Sequence, residues 1–530
     1  MSTTPIIESV RRLVAQAVET ARTDGVVRLE TMPDIQVEHP GNPEHGDFST
    51  NLPLRLARAT RINPLELAQA LVARTPESDP IAQVEAAPPG FINFRLKDTW
   101  LQDQVEEVRR AGAAFGNLDI GGGRKTMVEF VSVNPTGPVH VGHTRGAVLG
   151  SALANVLEAA GYQVTRSPMP SNGYMGDYIS DLAKEIALAE GERFLSQGEE
   201  QAIRGIGDLS REKMVALIRQ DLSNIGVEFD NWFSERTLFT TGEYDQALEQ
   251  LREQGYLSQR EDALWFNSTM LGDEKDNVVV RSSGEPTYFA SDIAYHHNKF
   301  IGRGYDSVVN IWGADHQGHV PRMKAAVEGL GINPDRLTIL IAQMVTLKRG
   351  TEVVRASKRT GDFVTLSELA DEVGGDACRF FFLSRTPSTQ MEFDLELAKE
   401  ESSENPVYYV QYAHARNAGI LNLARERNID WSRGDVSLLT HPSELALVRH
   451  MLRLPELVQQ MAETLEPHHL AHFTMELATA FHGFYENCRV ISANPEDADV
   501  SLARLKLVES AQIVFRRSLE LMGMSAPERM

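Results

Sequence analysis

Cysteine is almost absent: 530 residues contain two, Cys378 and Cys488. That excludes a disulfide scaffold and any multi-cysteine zinc ribbon or iron–sulfur site. No run of about 18 apolar residues occurs, so no membrane span is expected. The opening Met1-Ser2-Thr3-Thr4-Pro5-Ile6-Ile7-Glu8 lacks the basic start and long apolar core of a secretion signal, and a cytoplasmic location is expected. Positive charge is scarce. There are 52 Lys+Arg against 74 Asp+Glu, a formal charge of −22, which argues against a protein that coats nucleic acid through bulk charge. Internal repeats, low-complexity tracts, an acidic tail and a basic arm are all missing. What remains is ordinary for a soluble globular protein, 42% apolar and 24% charged. At roughly 100–200 residues per domain the length suggests about three to five domains.

Texture changes along the chain. Ile7, Val10, Leu13, Val14, Ala17 and Val18 recur at helical spacing, and Phe91-Ile92-Asn93-Phe94-Arg95-Leu96 alternates like a half-buried strand entered from Pro88-Pro89-Gly90. Gly121-Gly122-Gly123 reads as a linker. Beyond it come a strand over 127–133, a Pro/Gly loop and a helix from about His143 to Ala160. A second strand over 308–312 is followed by a helix over 320–330. Strands alternating with helices predict a doubly wound parallel sheet. From about Leu397 onward Leu, Ala and Val recur at 3–4 spacing, as in a helical bundle. The expected fold class is α/β, a Rossmann-like catalytic domain flanked by an N-terminal α+β domain and a C-terminal all-α bundle. Its expected divisions are 1–120, 121–396 with an insertion around 180–285, and 397–530.

The most informative segment is Glu129-Phe130-Val131-Ser132-Val133-Asn134-Pro135-Thr136-Gly137-Pro138-Val139-His140-Val141-Gly142-His143. A buried strand ends, a proline-bracketed loop turns, and His-x-Gly-His opens a helix. A helix N-terminus presents unpaired N–H groups and positive dipole, which receive a polyphosphate. Gly142 lets a flat adenine or ribose approach the backbone, and the two imidazoles can donate to phosphate oxygens as charge develops. A structural histidine pair is the plain alternative. Neither a nearby cysteine nor a central Glu is present, so no structural zinc is expected.

His140-Val141-Gly142-His143 resembles the HIGH signature of class I aminoacyl-tRNA synthetases, and Glu129 with Asn134-Pro135 resembles the arginyl family in particular. The resemblance runs over essentially the whole chain. Glu44-His45-Gly46-Asp47-Phe48-Ser49-Thr50-Asn51 and Gly90–Phe94 look like that family's additional tRNA-contacting domain. Arg355-Ala356-Ser357-Lys358-Arg359-Thr360-Gly361 is similar to the KMSK loop, with Arg355 and Ala356 in place of the usual Lys-Met. Its cations suit the β- and γ-phosphates of a nucleotide, though with Lys348 nearby the run on its own residues reads first as a solvated basic loop.

The resemblance implies ligation of L-arginine to tRNA(Arg) through an arginyl-adenylate, with ATP and its Mg²⁺ as co-substrate. It implies catalytic roles for His140, His143 and Lys358, and ATP binding by Gly142, Ser357 and the same three residues. Glu129, Asn134, Tyr288, Asp292 and Asp315 are implied as the arginine pocket. Tyr288 and Asp292 stand four apart, on one face of a helix turn, and carboxylates are the partners a planar guanidinium prefers. Pro170–Tyr178 departs from the family's Asn-Asp-x-Gly pattern, so Asn172 receives no role. The aromatic, polar run Glu404–Arg416 resembles the start of the anticodon-binding domain. Its Tyr408, Tyr412 and Arg416 suit unstacked RNA bases, or else pack a helical core. Another class I synthetase, a nucleotidyltransferase, or a silent tRNA- or arginine-binding paralogue would be the alternatives. A monomer is expected, and the −22 charge requires the basic tRNA-facing patches to be local.

Overall fold

The computed structural model describes residues 4–133, 135, 137–169, 177–354 and 364–530. Helix Ile6–Thr23 opens it, followed by a three-stranded antiparallel sheet in the order Phe48–Thr50, Phe91–Leu96, Ile81–Ala87. Helix Asp98–Ala111 leads on into the catalytic region. Gly121-Gly122-Gly123, read above as a linker, is a packed turn. A Cβ on Gly121 would lie 2.5 Å from the Tyr162 nitrogen, and the Gly121 N–H bonds to the Ala160 carbonyl at 2.8 Å.

The central sheet is built from β1 (Lys125–Glu129), helix α1 (Val141–Ala159), β2 (Gln163–Ser167), helix α2 (Tyr288–His297), β3 (Ser307–Gly313), helix α3 (Val320–Gly329) and β4 (Leu337–Ala342). Its order is β4-β3-β1-β2 and every pairing is parallel. The chain leaves β1 for β2 on one side and later returns to β3 on the other, so the carboxyl ends of β1 and β3 flank a topological switch point. Ligands of open α/β sheets bind there. Between β2 and β3 lie helices Glu199–Asn224, Glu235–Thr240 and Glu243–Glu253 and a small antiparallel sheet of Leu257–Arg260, Ala263–Phe266 and Asn277–Val280.

The first strand ends earlier than the 127–133 expected, at Glu129. Val131 has φ 57°, a left-handed conformation that a β-branched side chain adopts only under constraint. This kink turns the chain so that the Ser132 hydroxyl donates back to Glu129 Oε1 at 2.6 Å. The helix that follows is buried on nearly every face and owes this to small residues: Ala147, Gly150, Ser151, Ala152 and Ala154 are all in the core. Arg145 is likewise buried, and its guanidinium donates to the carbonyls of Gln343 (2.9 Å), Thr389 (2.7 Å) and Thr386 (2.7 Å), tying the start of α1 to the segment beyond β4. Burial without a carboxylate partner lowers its pKa to about 10.

After the central sheet come a small sheet of Glu352–Val353, Val345–Arg349 and Met391–Asp394 and then, from Pro406 on, the helices Pro406–Glu426, Pro442–Met451, Arg453–Thr464, His469–Asn487 and Ala498–Met522. Asn405 caps the first of these by accepting from the Val407 N–H at 3.0 Å, with Pro406 in the first helical position. These helices share one apolar core with the catalytic region and the N-terminal unit. Arg379, buried in helix Gly375–Leu383, donates to the carbonyls of Ile225, Gly226 and Met522 and to the Ser151 hydroxyl, so one guanidinium joins three separate chain segments to α1. Among the described residues no helix is long and apolar enough to cross a membrane.

Candidate active site

His140 is the N-cap of α1, and its Nδ1 accepts from the Gly142 N–H at 3.1 Å. The His140 and His143 rings stack with centroids 3.8 Å apart, which leaves both edges at the helix N-terminus. A Cβ on Gly142 would fall 2.9 Å from the His140 ring, so the motif's glycine is required by the imidazole as well as by any ligand. The Val141 N–H bonds to the Val364 carbonyl (3.1 Å), the Leu366 N–H bonds to the Val139 carbonyl (2.7 Å), and Thr365 bridges His140. The chain leaving the cationic loop is therefore fastened to the histidine motif. Thr365 is held in turn by a capping box with Glu368. Ser357, Lys358 and Arg355 lie outside the described residues, as do Asn134 and the Asn172 segment. Lys348 is engaged elsewhere, paired with Glu392 at 2.7 Å.

Glu129 closes β1 and is buried. It is already paired: Lys299, fully buried, donates to its Oε2. Lys299 also donates to Asn310 Oδ1 on β3 at 3.1 Å, and Asn310 Nδ2 donates to His296 Nε2 at 2.9 Å. With Nε2 accepting, His296 Nδ1 carries the proton and donates to the Asp292 carbonyl at 2.7 Å. Burial, with the Lys299 charge, keeps this histidine neutral, far below its ordinary pKa. Lys299 follows Asp292 and His296 at helical spacing, where α2 runs on into a π-turn, Asn298–Gly302.

Tyr288 and Asp292 do share a helix face, one turn apart on α2, whose N-cap Thr287 accepts from the Ala290 N–H. Tyr288 is 59% exposed at the rim. Asp292 lies deeper, and burial first, then the Glu129 charge, pushes its carboxyl up to about 7. Among the described residues Asp292 forms no ion pair within 4.0 Å, so its carboxylate is open to a cation. Arg322 of α3 faces it electrostatically while lying 5.0 Å from the centre of the Phe289 ring. Asp315 is exposed in the short turn Ala314–His319 after β3, 3.6 Å from His316 Nε2. Glu129, Asp292 and the histidine motif thus gather at the carboxyl ends of β1 and β3, with Tyr288 and Asp315 at the edge.

Tyr408, Tyr412 and Arg416 lie apart from this cleft, on helix Pro406–Glu426. The two tyrosine rings stack 6.0 Å apart and nearly parallel (8°). Arg416 sits 4.6 Å from the Tyr412 ring centre and 4.7 Å from that of Tyr485, forming a ladder of half-buried and exposed rings. Lys299, His296 and Asn310 escape notice in the sequence. Asp292, His296 and Lys299 are nonetheless spaced i, i+4, i+7, a polar stripe on an otherwise apolar helix that a helical-face count would have found.

Three family models match the chain: arginyl tRNA synthetase N terminal domain over 8–96, tRNA synthetases class I (R), catalytic domain, over 113–182 and 193–381, and DALR anticodon binding domain over 410–530. The chain is 50% identical over 554 aligned positions to an arginine–tRNA ligase of Dehalococcoides mccartyi, covering 99% of this chain and 98% of that one. The chain belongs to the arginyl-tRNA synthetase family. A Heliobacterium modesticaldum arginine–tRNA ligase is 44% identical over 99% of this chain and all of its own length. The solved Thermus thermophilus arginyl-tRNA synthetase shares the fold, with a TM-score of 0.81 and 22% identity over 99% of this synthetase chain and 100% of that one. The matches at both ends set an arginyl-tRNA synthetase apart from a bare nucleotidyltransferase, because the family's N-terminal and anticodon-binding models are both present.

Proposed function

We infer that the cleft at the ends of β1 and β3 is where this enzyme joins L-arginine to its tRNA. The activity is that of an arginine–tRNA ligase, as the near relatives over the full chain are named. One observation carries the assignment of the pocket: Asp292, an acid with no ion-pair partner among the described residues, faces Glu129 at the end of β1, the same strand end from which the chain runs to the His140–His143 helix start. That places cation recognition beside polyphosphate recognition.

In this reading the guanidinium of arginine meets Asp292, Tyr288 closes over it, and Glu129 lines the floor. Asn134 and Asp315 attend to the α-amino and carboxylate ends. The arginine carboxylate attacks the α-phosphate of ATP in line and pyrophosphate leaves; the aminoacyl group then passes to a ribose hydroxyl at the tRNA terminus. His140 and His143 face the phosphates, Gly142 lets the nucleotide approach the backbone, and Ser357 and Lys358 follow the departing pyrophosphate. Positioning and charge stabilisation supply most of the rate. Mg²⁺ enters on the ATP phosphates and neutralises part of their charge. Among the described residues no group of three or more His, Cys, Asp or Glu could hold a metal on its own. Tyr408, Tyr412 and Arg416 offer stacking surfaces to tRNA bases. Residues 1–120, 121–396 and 397–530 divide the labour, and the enzyme works as a cytoplasmic monomer.

ATP–pyrophosphate exchange with each amino acid, with and without tRNA, tests the assignment. Exchange dependent on arginine is expected. Its absence under every condition would overturn the reading.

A further inference from the structure

The proposed amino-acid pocket already contains a cation. The Lys299 side chain is fully buried against Glu129, and its ammonium lies 4.4 Å from the centre of the Tyr295 ring. Burial lowers its pKa from the ordinary lysine value, and the Glu129 and Asp292 charges oppose that shift. Glu129 is engaged on both oxygens, by Lys299 on Oε2 and Ser132 on Oε1. Asn310 and neutral His296 close the network. Of the two acids in the cleft, only Asp292 is left without an ionic partner among the described residues.

We propose that Lys299 is a positioning and specificity-determining residue for arginine: its resident ammonium neutralises and fixes Glu129, so that of the two acids only Asp292 offers an unpaired carboxylate to the guanidinium. The proposal rests on the reading that arginine binds in this cleft. Two uncompensated acids side by side would suppress each other's ionisation and attract cations of any shape. With one acid neutralised internally, the remaining carboxylate can favour a ligand that reaches it with paired, coplanar donors. A buried ion pair adds little net stability over an apolar replacement, so the charge it sets in the pocket accounts better for its presence.

The charged groups facing Asp292 define the test. They are Glu129 from β1, Glu235 from helix Glu235–Thr240, Lys299 from the π-turn and Arg322 from α3. Arg322 in turn faces Asp273, and His319 of the turn after β3 faces Arg322. The acids raise the Asp292 pKa, and Lys299 and Arg322 lower it. Arginine needs the ionised form, so arginine affinity should rise with pH and level off above about 7. Without Lys299 the levelling point moves to higher pH. Arginine affinity measured below that point then falls about tenfold for every whole pH step it has moved.

The experiment measures KM for arginine and for ATP in tRNA-supported ATP–pyrophosphate exchange from about pH 6 to pH 9, with melting curves alongside. It compares the wild-type chain, Lys299→Met, Lys299→Arg and the double variant Glu129→Gln/Lys299→Met. Lys299→Met should raise the arginine KM about tenfold at neutral pH, recover toward wild type in alkali, and leave the ATP KM within about twofold. Lys299→Arg should restore part of the loss. The double variant removes one group that raises Asp292 and one that lowers it, so its levelling point should return toward that of wild type. If Lys299→Met does not fold, the double variant, which leaves no lone buried charge, decides the question alone.

An arginine KM raised by the same factor at every pH, or raised together with that of ATP, would mean Lys299 is merely structural and would overturn the proposal. So would a double variant levelling off no lower than Lys299→Met or, where that variant does not fold, far from wild type. Failure of the wild-type chain to exchange with arginine is a separate result that removes the pocket assignment instead.

Discussion

Two glycines one helical turn apart on α1 should respond to the same substitution in opposite ways. A Cβ on Gly150 would fall 2.3 Å from Phe130 Cγ and 2.6 Å from each Cδ. Carbon contacts settle at about 3.5–4.0 Å, so helix or ring must yield by about 1.2 Å. Phe130 cannot retreat freely, because it is fully buried and its ring packs against Phe229 with centroids 4.5 Å apart. Overpacking of this kind costs about 1–3 kcal/mol. At roughly 2–4 °C per kcal/mol, Gly150→Ala should lower the melting temperature by about 2–12 °C. Phe130 adjoins Glu129, and α1 carries both histidines at its start. A misplacement of about 1 Å there should reduce kcat/KM for ATP by about 10²-fold. Gly146 is the internal control. Its added Cβ would meet only Ile311 Cγ2, at an ordinary 3.8 Å. Gly146→Ala should then gain about 0.5–1 kcal/mol from lost backbone freedom in the unfolded chain, raising the melting temperature by a few degrees. Differential scanning calorimetry and ATP–pyrophosphate exchange on both variants decide the matter. Equal melting shifts of the same sign would refute the claim that α1 is seated on Phe130 through Gly150.

Other perturbations test other joints of the structure. Asp292→Asn keeps the shape of the side chain but removes the open charge, so it should raise the arginine KM by about 10²-fold or more and the ATP KM by little, a split read directly from exchange kinetics. Arg379→Met strands the carbonyls that its guanidinium now satisfies and should cost about 3 kcal/mol or more, seen as a lower melting temperature and faster proteolysis near residues 225 and 522. Arg416→Ala and Tyr412→Ala dismantle the ring ladder. Each should weaken tRNA affinity by about 1–3 kcal/mol without changing arginine or ATP binding, as measured by the tRNA KM in aminoacylation. The tRNA affinity should also weaken steeply with added salt, because phosphate contacts release counterions.

Much of the architecture is legible in the residues. Alternating strands and helices foretell the parallel sheet, because a strand buried on both faces reads as a continuous apolar run and its crossover as a helix. The observed β3 brackets the range expected, α1 begins two residues earlier and ends one earlier than expected, and His140 stands as a cap because its spacing places it just before an apolar helical run. Boundaries set by backbone strain are not legible: Val131 looks like one more strand residue, yet its left-handed φ ends β1 two residues earlier. The glycine triplet misleads for a similar reason. Glycine composition marks flexible linkers and tight packing alike, and only the neighbouring Tyr162 distinguishes them.

The sequence by itself determined the family, the His140-capped helix start and the acids that could attend a cation, because these depend on residue type and local spacing. Tertiary structure alone decided which acid is open. Glu129 and Asp292 are equivalent as letters. Their difference comes from Lys299, which is 170 positions from Glu129 in the chain and meets it only in the fold. Charge is counted along a chain, but its compensation occurs in space, and the cation paired with Glu129 is found only in the fold.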